Sequence, residues 1–333
     1  MVRTVNVMDE KWDILIVLDA CRYDFFSCMY KKFLLGNLEE VKSLGSSTLE
    51  WLVKSFRKYY KDVVYFSANP YINSFADVKI GLWKWSARKH FYKIIDVWKF
   101  GWDNFFGTVP PWEVNKVVLN SKDRYAGKRL IIHFLQPHEP YLYPSINPIG
   151  FNHPDPLKGT FLENSGTSGM IKFLRLFLDN LTKYPFAKIT YHLGLNTESI
   201  WRLREKFRLP PASPMDAVRR KYGVRILRLA YAFNLRIVLE YVSLLVNHLE
   251  GEIIITSDHG EFLGERGYFS HNWGIKNRIV RHVPWFIVHG SKISNLSPMV
   301  KQIERISREY QLINKIRMIK TRRRKLLTNP SFS

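Results

Sequence analysis

Residues 253–261 read Ile-Ile-Ile-Thr-Ser-Asp258-His259-Gly260-Glu261, a short apolar and largely β-branched run that stops abruptly in a carboxylate, an imidazole and a glycine. A run this apolar suits a strand covered on both faces, and such strands belong to parallel sheets. In those sheets chemistry collects beyond the carboxyl ends of the strands. The fold therefore turns on whether other runs end in the same way.

Residues 14–18, 63–66, 130–134 and 284–288 form four more short runs rich in Ile, Val, Leu or Phe, and helical patterns over 48–61 and 224–248 lie between them. This order predicts an α/β fold with a mostly parallel central sheet and helices on both faces. Asp19 follows the first run in the string Asp19-Ala-Cys-Arg22-Tyr-Asp24. The string Gln136-Pro-His138-Glu-Pro-Tyr141 follows the third, and His271 lies twelve residues beyond His259. Strand ends thus bring two carboxylates and three imidazoles to one side of the sheet. Carboxylate oxygens and neutral imidazole nitrogens are ligands that zinc and manganese favour, so one or two divalent ions are expected, with calcium as a further option. A single Asp or His at a strand end is usually a cap, and the joint arrival carries the reading.

The hydroxyl-rich string Ser43-Leu-Gly-Ser-Ser47-Thr48-Leu-Glu50-Trp-Leu supplies the nucleophile candidates. Ser47-x-x-Glu50 has the form of a capping box, which accounts for Ser47 as a helix cap. It leaves Thr48 at the positive end of the helix dipole, where its hydroxyl could meet a metal and lose its proton. Three readings stand at this point: attack by Thr48, attack by Ser47, or neither.

The chain has 333 residues, 46% hydrophobic and 24% charged, enough to bury a sizeable core, and carries a formal charge of +22. Cys21 and Cys28 are too few for a disulfide framework or a zinc ribbon, and suit a reducing compartment. Residues 296–333 hold ten basic and two acidic side chains, ending in the basic run 320–325, after Met299, Ile303, Ile306, Tyr310 and Ile313 recur at helical spacing. The expected division is a catalytic domain over 1–295, with an aromatic and basic insert at about 79–112, and a basic C-terminal helix and tail over 296–333. The insert holds Trp83, Trp85, Trp98, Trp102 and Trp112 among lysines and arginines, either as a core element or as a surface for headgroups or glycans. Long loops are expected over 144–169 and 209–214.

The first residues lack an apolar stretch of the kind a signal peptide needs, and the most apolar helical pattern, 224–249, carries Arg228, Asn234, Arg236, Glu240, Asn247 and His248. The expectation is a cytoplasmic chain, with peripheral contact to an anionic membrane through the basic tail and Trp segment as an added option. Binding of nucleic acid through the same features is the rival from a different class, though no zinc-finger, helix-turn-helix or RNA-recognition motif accompanies it.

The strings ILIVLDACRYD (14–24), GSSTLEW (45–51), HFLQPHEPY (133–141) and IIITSDHGEFLGERGYFSH (253–271) resemble the motif series of the alkaline phosphatase and sulfatase superfamily. They stand in that family's order and cover roughly 11–290. Within it the pattern is similar to sulfatase-like proteins of prokaryotes and to the catalytic domains of phosphoethanolamine transferases. The resemblance implies an alkaline-phosphatase-like fold and a hydrolase or transferase acting on sulfate or phosphate esters through a covalent Thr48 intermediate. It implies that Asp19, Thr48, Asp258 and His259 hold the first metal. His271 and His138 would serve a second metal or the substrate oxygens, Arg22 would orient the anion, and Ser47 would lie beside the substrate. The anionic ester would be a glycan, a lipid headgroup or a small molecule. The chain departs from formylglycine sulfatases, because no Cys-x-Pro-x-Arg string is present and Asp19 is followed by Ala20 rather than a second aspartate.

Overall fold

The computed structural model describes residues 2–80, 83–143, 150–151, 153–154, 170–181 and 186–328. The main sheet contains β1 (Thr4–Val5), β2 (Ile14–Leu18), β3 (Leu34–Ser43), β4 (Tyr60–Ser67), β7 (Phe91–Asp96), β8 (Arg129–Phe134), β9 (Ile253–Thr256) and β12 (His282–Ser291). Two hairpins complete the strands, β5 (Val78–Ile80) with β6 (Trp83–Trp85) and β10 (Phe262–Leu263) with β11 (Phe269–Ser270). The helices are α1 (Tyr23–Met29), α2 (Thr48–Ser55), α3 (Val97–Phe100), α4 (Pro111–Ser121), α5 (Met170–Leu181), α6 (Phe186–His192), α7 (Thr197–Lys206), α8 (Pro214–Val246), α9 (Arg278–Arg281) and α10 (Pro298–Thr328).

The main sheet runs β1-β3-β12-β9-β2-β8-β4-β7. Every pairing in it is parallel except the two made by β12, so seven strands point one way and β12 opposes them. The expected mostly parallel α/β sheet with helices on both faces is therefore present, and all five apolar runs lie in its strands. Successive residues of β2 divide between two cores: Ile14, Ile16 and Leu18 pack on one side with Phe26 of α1, Val114 of α4 and Leu235 and Val238 of α8. Leu15 and Val17 pack on the other with Trp51 and Leu52 of α2. Such period-two partition lets each central strand bury both faces, at roughly 1.5–3 kcal/mol per large apolar side chain.

Helix α2 stops at Ser55, short of the expected 61, because the chain must turn to enter β4 at Tyr60. Helix α8 begins at Pro214 and is interrupted at Gly223 by a left-handed φ of 80°. Its length and composition would let it cross a membrane, yet 78% of its most apolar window is buried inside the protein, which makes it a core helix. Trp85, Trp98, Trp102 and Trp112 are all buried, so the Trp segment is core and not a stacking surface; the side chain of Trp83 lies outside the described residues. The segment also supplies β7, an edge strand of the main sheet. The loop expected over 144–169 lies almost wholly outside the described residues, whereas the one expected over 209–214 falls in the connection 207–213 between α7 and α8, with Pro214 already the first residue of α8. Helix α10 docks through Val300, Ile303 and Ser307, while Ile306 and Ile313 face outward. The hydroxyl of Tyr241 donates to Glu304, Tyr310 packs on Phe105, and Ser307 and Gln311 both bond to buried Asp103.

Candidate active site

Four parallel strands, β2, β4, β8 and β9, deliver their carboxyl ends to one edge, and β3 leads there into the turn that opens α2. Asp19 follows β2, Asn69 follows β4, His138 follows β8, and Asp258 and His259 follow β9. The turns that aim these side chains are tightly built. Ala20 has a left-handed φ of 58°, an uncommon state for a residue with a Cβ, and it is held there from both sides. Its amide donates to Asp258 Oδ1 (3.1 Å), and its carbonyl accepts from the Tyr231 hydroxyl (2.7 Å). Cys21 N donates to Ser257 Oγ at 2.7 Å. Gly260 is required by close approach, since a Cβ there would stand 2.1 Å from the carbonyl oxygen of Ile279. Gly45 is similar, with Trp51 N only 2.4 Å from the position of a Cβ.

Thr48 is the first residue of α2 and is buried. Its Oγ1 donates to Asp258 Oδ2 at 2.7 Å and lies 3.2 Å from His259 Nε2. His259 Nδ1 is 2.8 Å from the Gly260 carbonyl, so that nitrogen carries the proton and Nε2 presents a lone pair. Burial lowers the His259 pKa, in keeping with a neutral ring. The same Nε2 is 3.3 Å from Asp258 Oδ2 and 3.6 Å from Asp19 Oδ1. Asp19 Oδ2 accepts from Asn69 Nδ2 at 2.7 Å, while Oδ1 is buried with no hydrogen-bond partner. Burial alone would raise the Asp19 pKa, but the imidazoles of His133, His138 and His259 outweigh it and keep the carboxylate ionised.

Asp19, Asp258 and His259 can bring one ligand atom each to within 4.8 Å of one another, and so can His138, Glu261 and His271. In the second group His271 Nδ1 is 3.0 Å from Glu261 Oε1, and Glu261 Oε2 is another buried oxygen with no partner. Burial, aided by Asp19 and opposed by His138 and His259, pushes the Glu261 pKa up to about 7, while burial and His138 push His271 down to about 4. The rings of His259 and His271 are 4.0 Å apart, which joins the two groups into one site. A buried carboxylate oxygen with nothing to bond is costly. Two of them among imidazole nitrogens and a hydroxyl form a donor set that fits a divalent cation. Beside both groups lies a cavity of about 450 Å³, lined by Asp19, Thr48, His138 and His271 and walled by Tyr71, Trp102, Phe151, Trp201 and Phe269.

The fold thus gathers Asp19, Thr48, His138, Asp258, His259 and His271. It does not bring Arg22 or Ser47 to the cavity. The Arg22 guanidinium is engaged by Asp24 and Glu265, each at 2.6 Å, and by the Glu261 carbonyl, and so braces the turn after β2. Ser47 Oγ accepts from Glu50 N and caps α2. Glu50 does not complete the box at Ser47 but reaches one residue further, accepting from both the amide and the hydroxyl of Ser46. Sequence reasoning passed over Glu261, Asn69 and His133. Glu261 lies two residues beyond His259 in the string already singled out, and Asn69 follows an apolar run just as Asp19 does.

No family model matches the chain, and no curated protein does. Among solved structures the chain is similar to the integral membrane lipooligosaccharide phosphoethanolamine transferase A (EptA) of Neisseria meningitidis, at 14% identity and a TM-score of 0.44 over 87% of this chain. It spans about half of that protein, 49% of its length. It is also similar to the periplasmic domain of phosphoethanolamine transferase EptC of Campylobacter jejuni, at 15% identity and a TM-score of 0.41 over 88% of this chain and 83% of that one. A third likeness is the periplasmic domain of EptC of Escherichia coli in complex with zinc, at 12% identity and a TM-score of 0.41 over 88% of this chain and 78% of that one. These are an integral membrane protein and periplasmic domains, and the expectation of a cytoplasmic location is corrected accordingly.

Proposed function

We propose that the chain is a metal-dependent enzyme that transfers or hydrolyses a phosphate ester through a covalent adduct on Thr48. One observation carries the reading: a buried threonine hydroxyl at a helix N-terminus, bonded to one carboxylate of a ligand group and opening on a cavity. Asp19, Asp258 and His259 would hold one divalent ion together with Thr48, and His138, Glu261 and His271 have the donor set for a second. Zinc or manganese suits this mixture of nitrogen and oxygen better than calcium, which prefers a larger all-oxygen shell. When bound, such an ion supplies Lewis acidity to the ester oxygens and lowers the pKa of a coordinated hydroxyl.

The chain's own groups account for the remaining steps. Asp258 Oδ2 is placed to take the Thr48 proton as Oγ1 bonds to phosphorus. The bond from phosphorus to the leaving oxygen breaks, and His138 on the cavity wall, with a single ion in the first group and its own Nε2 not spent on a second, is the group placed to protonate that oxygen. Water or an acceptor alcohol then gives its proton to His138 and attacks phosphorus from the opposite side, the bond from phosphorus to Thr48 Oγ1 breaks, and Asp258 returns the proton to Thr48. Phosphate is preferred to sulfate because the attacking position holds a threonine and no Cys-x-Pro-x-Arg string exists. The catalytic unit is read as 1–295 and the basic appendage as 296–333. The rival reading, nucleic-acid binding, has lost its stacking platform to the core.

Nitrophenyl phosphate is the test substrate. Thr48→Ala should remain folded and lose turnover by several orders of magnitude, and a slow ester should leave a mass adduct on the wild-type peptide containing residues 45–51. An adduct elsewhere, or full activity in the variant, overturns the covalent role.

A further inference from the structure

Eighteen large apolar side chains are well exposed among the described residues, and eight of them fall between 176 and 207: Leu176, Phe177, Phe186, Ile189, Leu193, Leu195, Leu203 and Phe207. A tenth of the chain thus holds nearly half of the exposed apolar groups. The clustering is not scatter along a loop. Phe186, Ile189 and Leu193 are spaced three and four residues apart, along α6 and just past its end, which places them on one stripe. On α7 Leu203 is exposed, as is Phe207 at its C-terminal cap, while Ile200, Trp201 and Arg204 are buried. Among the described residues, the cluster that α7 and the loop after it form with α5 holds Leu178, Ile200 and Leu209, with Leu181 packed on it, and none of the eight exposed side chains. That is too little to explain why so many apolar residues occur here.

Charge indicates what covers this face. Residues 170–208 contain eight Lys or Arg against three Asp or Glu, and exposed Lys188, Lys206 and Arg208 sit beside the outward apolar residues in sequence, while Arg202 is paired with Glu198 at 2.6 Å. Lysine is depleted from protein interfaces, whereas lysine and arginine flanking Phe and Leu are characteristic of helices lying at a lipid headgroup boundary. A second copy of the chain would set like charge against like charge. The same helices border the site, since Thr197 and Trp201 of α7 line the catalytic cavity.

We propose that the outer face of α5–α7 is a bilayer-contacting surface that seats the cavity mouth on an anionic membrane. Phe and Leu side chains would enter the headgroup layer, and the flanking cations would pair with lipid phosphates. This moves lipid contact away from the Trp segment, whose described indoles are buried.

The chain is tested by sedimentation with vesicles of phosphatidylcholine alone or mixed with phosphatidylglycerol. The wild type should partition onto the mixed vesicles, and the triple variant Phe177→Ser, Ile189→Ser, Leu193→Ser should bind at least about tenfold more weakly. Those side chains are exposed and outside the site, so the variant should still turn over soluble nitrophenyl phosphate at the wild-type rate, which also shows that it is folded. Leu312→Ser with Ile316→Ser, on the exposed face of α10, should leave vesicle binding unchanged. The proposal falls if the wild type stays in the supernatant, if the triple variant binds as well as wild type, or if only the α10 variant loses binding. It also falls if light scattering shows a wild-type dimer that the triple variant abolishes. A wild type inactive on every ester but still bound through this face would refute the reading of the site and leave the surface standing.

Discussion

Ser46, Ser47 and Thr48 are adjacent hydroxyls with three different jobs. Thr48 Oγ1 is the one bonded to Asp258 and facing the cavity. Ser47 caps α2 through a long 3.4 Å contact to Glu50 N. Ser46 Oγ bridges Glu50, the Asn272 carbonyl and the Ile275 amide, tying α2 to the loop that follows His271. Ser47→Ala should therefore cost only about 0.5–1 kcal/mol, the lower part of the range for a lost cap, and leave turnover intact. Ser46→Ala leaves buried donors and acceptors unpaired and should cost about 1–3 kcal/mol. Urea denaturation of both variants checks the order; a Ser47 variant less stable than the Ser46 variant would show that the cap bond dominates. The sequence pattern Ser47-x-x-Glu50 located this helix start correctly but not the partner of its glutamate, because a box one residue longer has the same first and last letters.

At the scale of elements, α2 and the loop 271–275 are joined by one carboxylate. Glu50 Oε2 accepts from Ser46 and from Gly274 N at 2.9 Å, and Oε1 accepts from Lys54 at 2.5 Å. Burial raises the Glu50 pKa, but these donors outweigh it and the net shift is downward from 4.5. A group with a depressed folded pKa stabilises fully above its unfolded value and loses that contribution as pH falls through the folded one. Glu50→Gln turns an NH2 group against existing donors, so it should lower stability at pH 7 by about 2 kcal/mol, and the gap to wild type should close as pH drops below 4.5. A gap that widens on acidification would show that this carboxylate is not the tie. The elements legible in the sequence were those whose both faces are apolar, β2 and β9 above all. Strand β3 was not, because Asn37, Glu39, Glu40 and Lys42 interrupt its apolar residues on a half-exposed strand near the sheet edge. Strand β7 escaped for the same reason, with Tyr92 and Lys93 exposed at the other edge. The strand-end carboxylates and imidazoles were legible because parallel topology fixes which side of the sheet they reach. The fate of Arg22 was not, since no local pattern shows that Glu265 will fold back on it.

For the whole molecule the consequence of this topology is that carboxylates are concentrated where strands converge. Asp258 Oδ2 and Asp19 Oδ1 both approach His259 Nε2, and Glu261 stands beyond His271, all in the buried interior. Like charges held this close destabilise the fold, and His138, which burial holds down but Asp19, Glu261 and Glu139 push up to about 9, offsets part of that repulsion and leaves the rest for a bound divalent cation. A ligand that binds only the folded state stabilises by RT ln(1 + [L]/Kd), about 2.7 kcal/mol at a hundredfold excess over Kd. For a chain of this size that corresponds to a rise in Tm on the order of 5 °C. Zinc added to chelator-treated wild type should produce such a rise, reversed by EDTA. Asp258→Asn removes one of the repelling charges while keeping an oxygen for the amides of Ala20 and His259. Its metal-free form should melt at or above the metal-free wild type, and zinc should no longer shift it. The two effects have opposite signs in one residue, stability gained and metal response lost. A metal-free variant that melts well below wild type, or that still responds to zinc in full, would mean that Asp258 is a structural acceptor and that the ion, if bound, is held elsewhere.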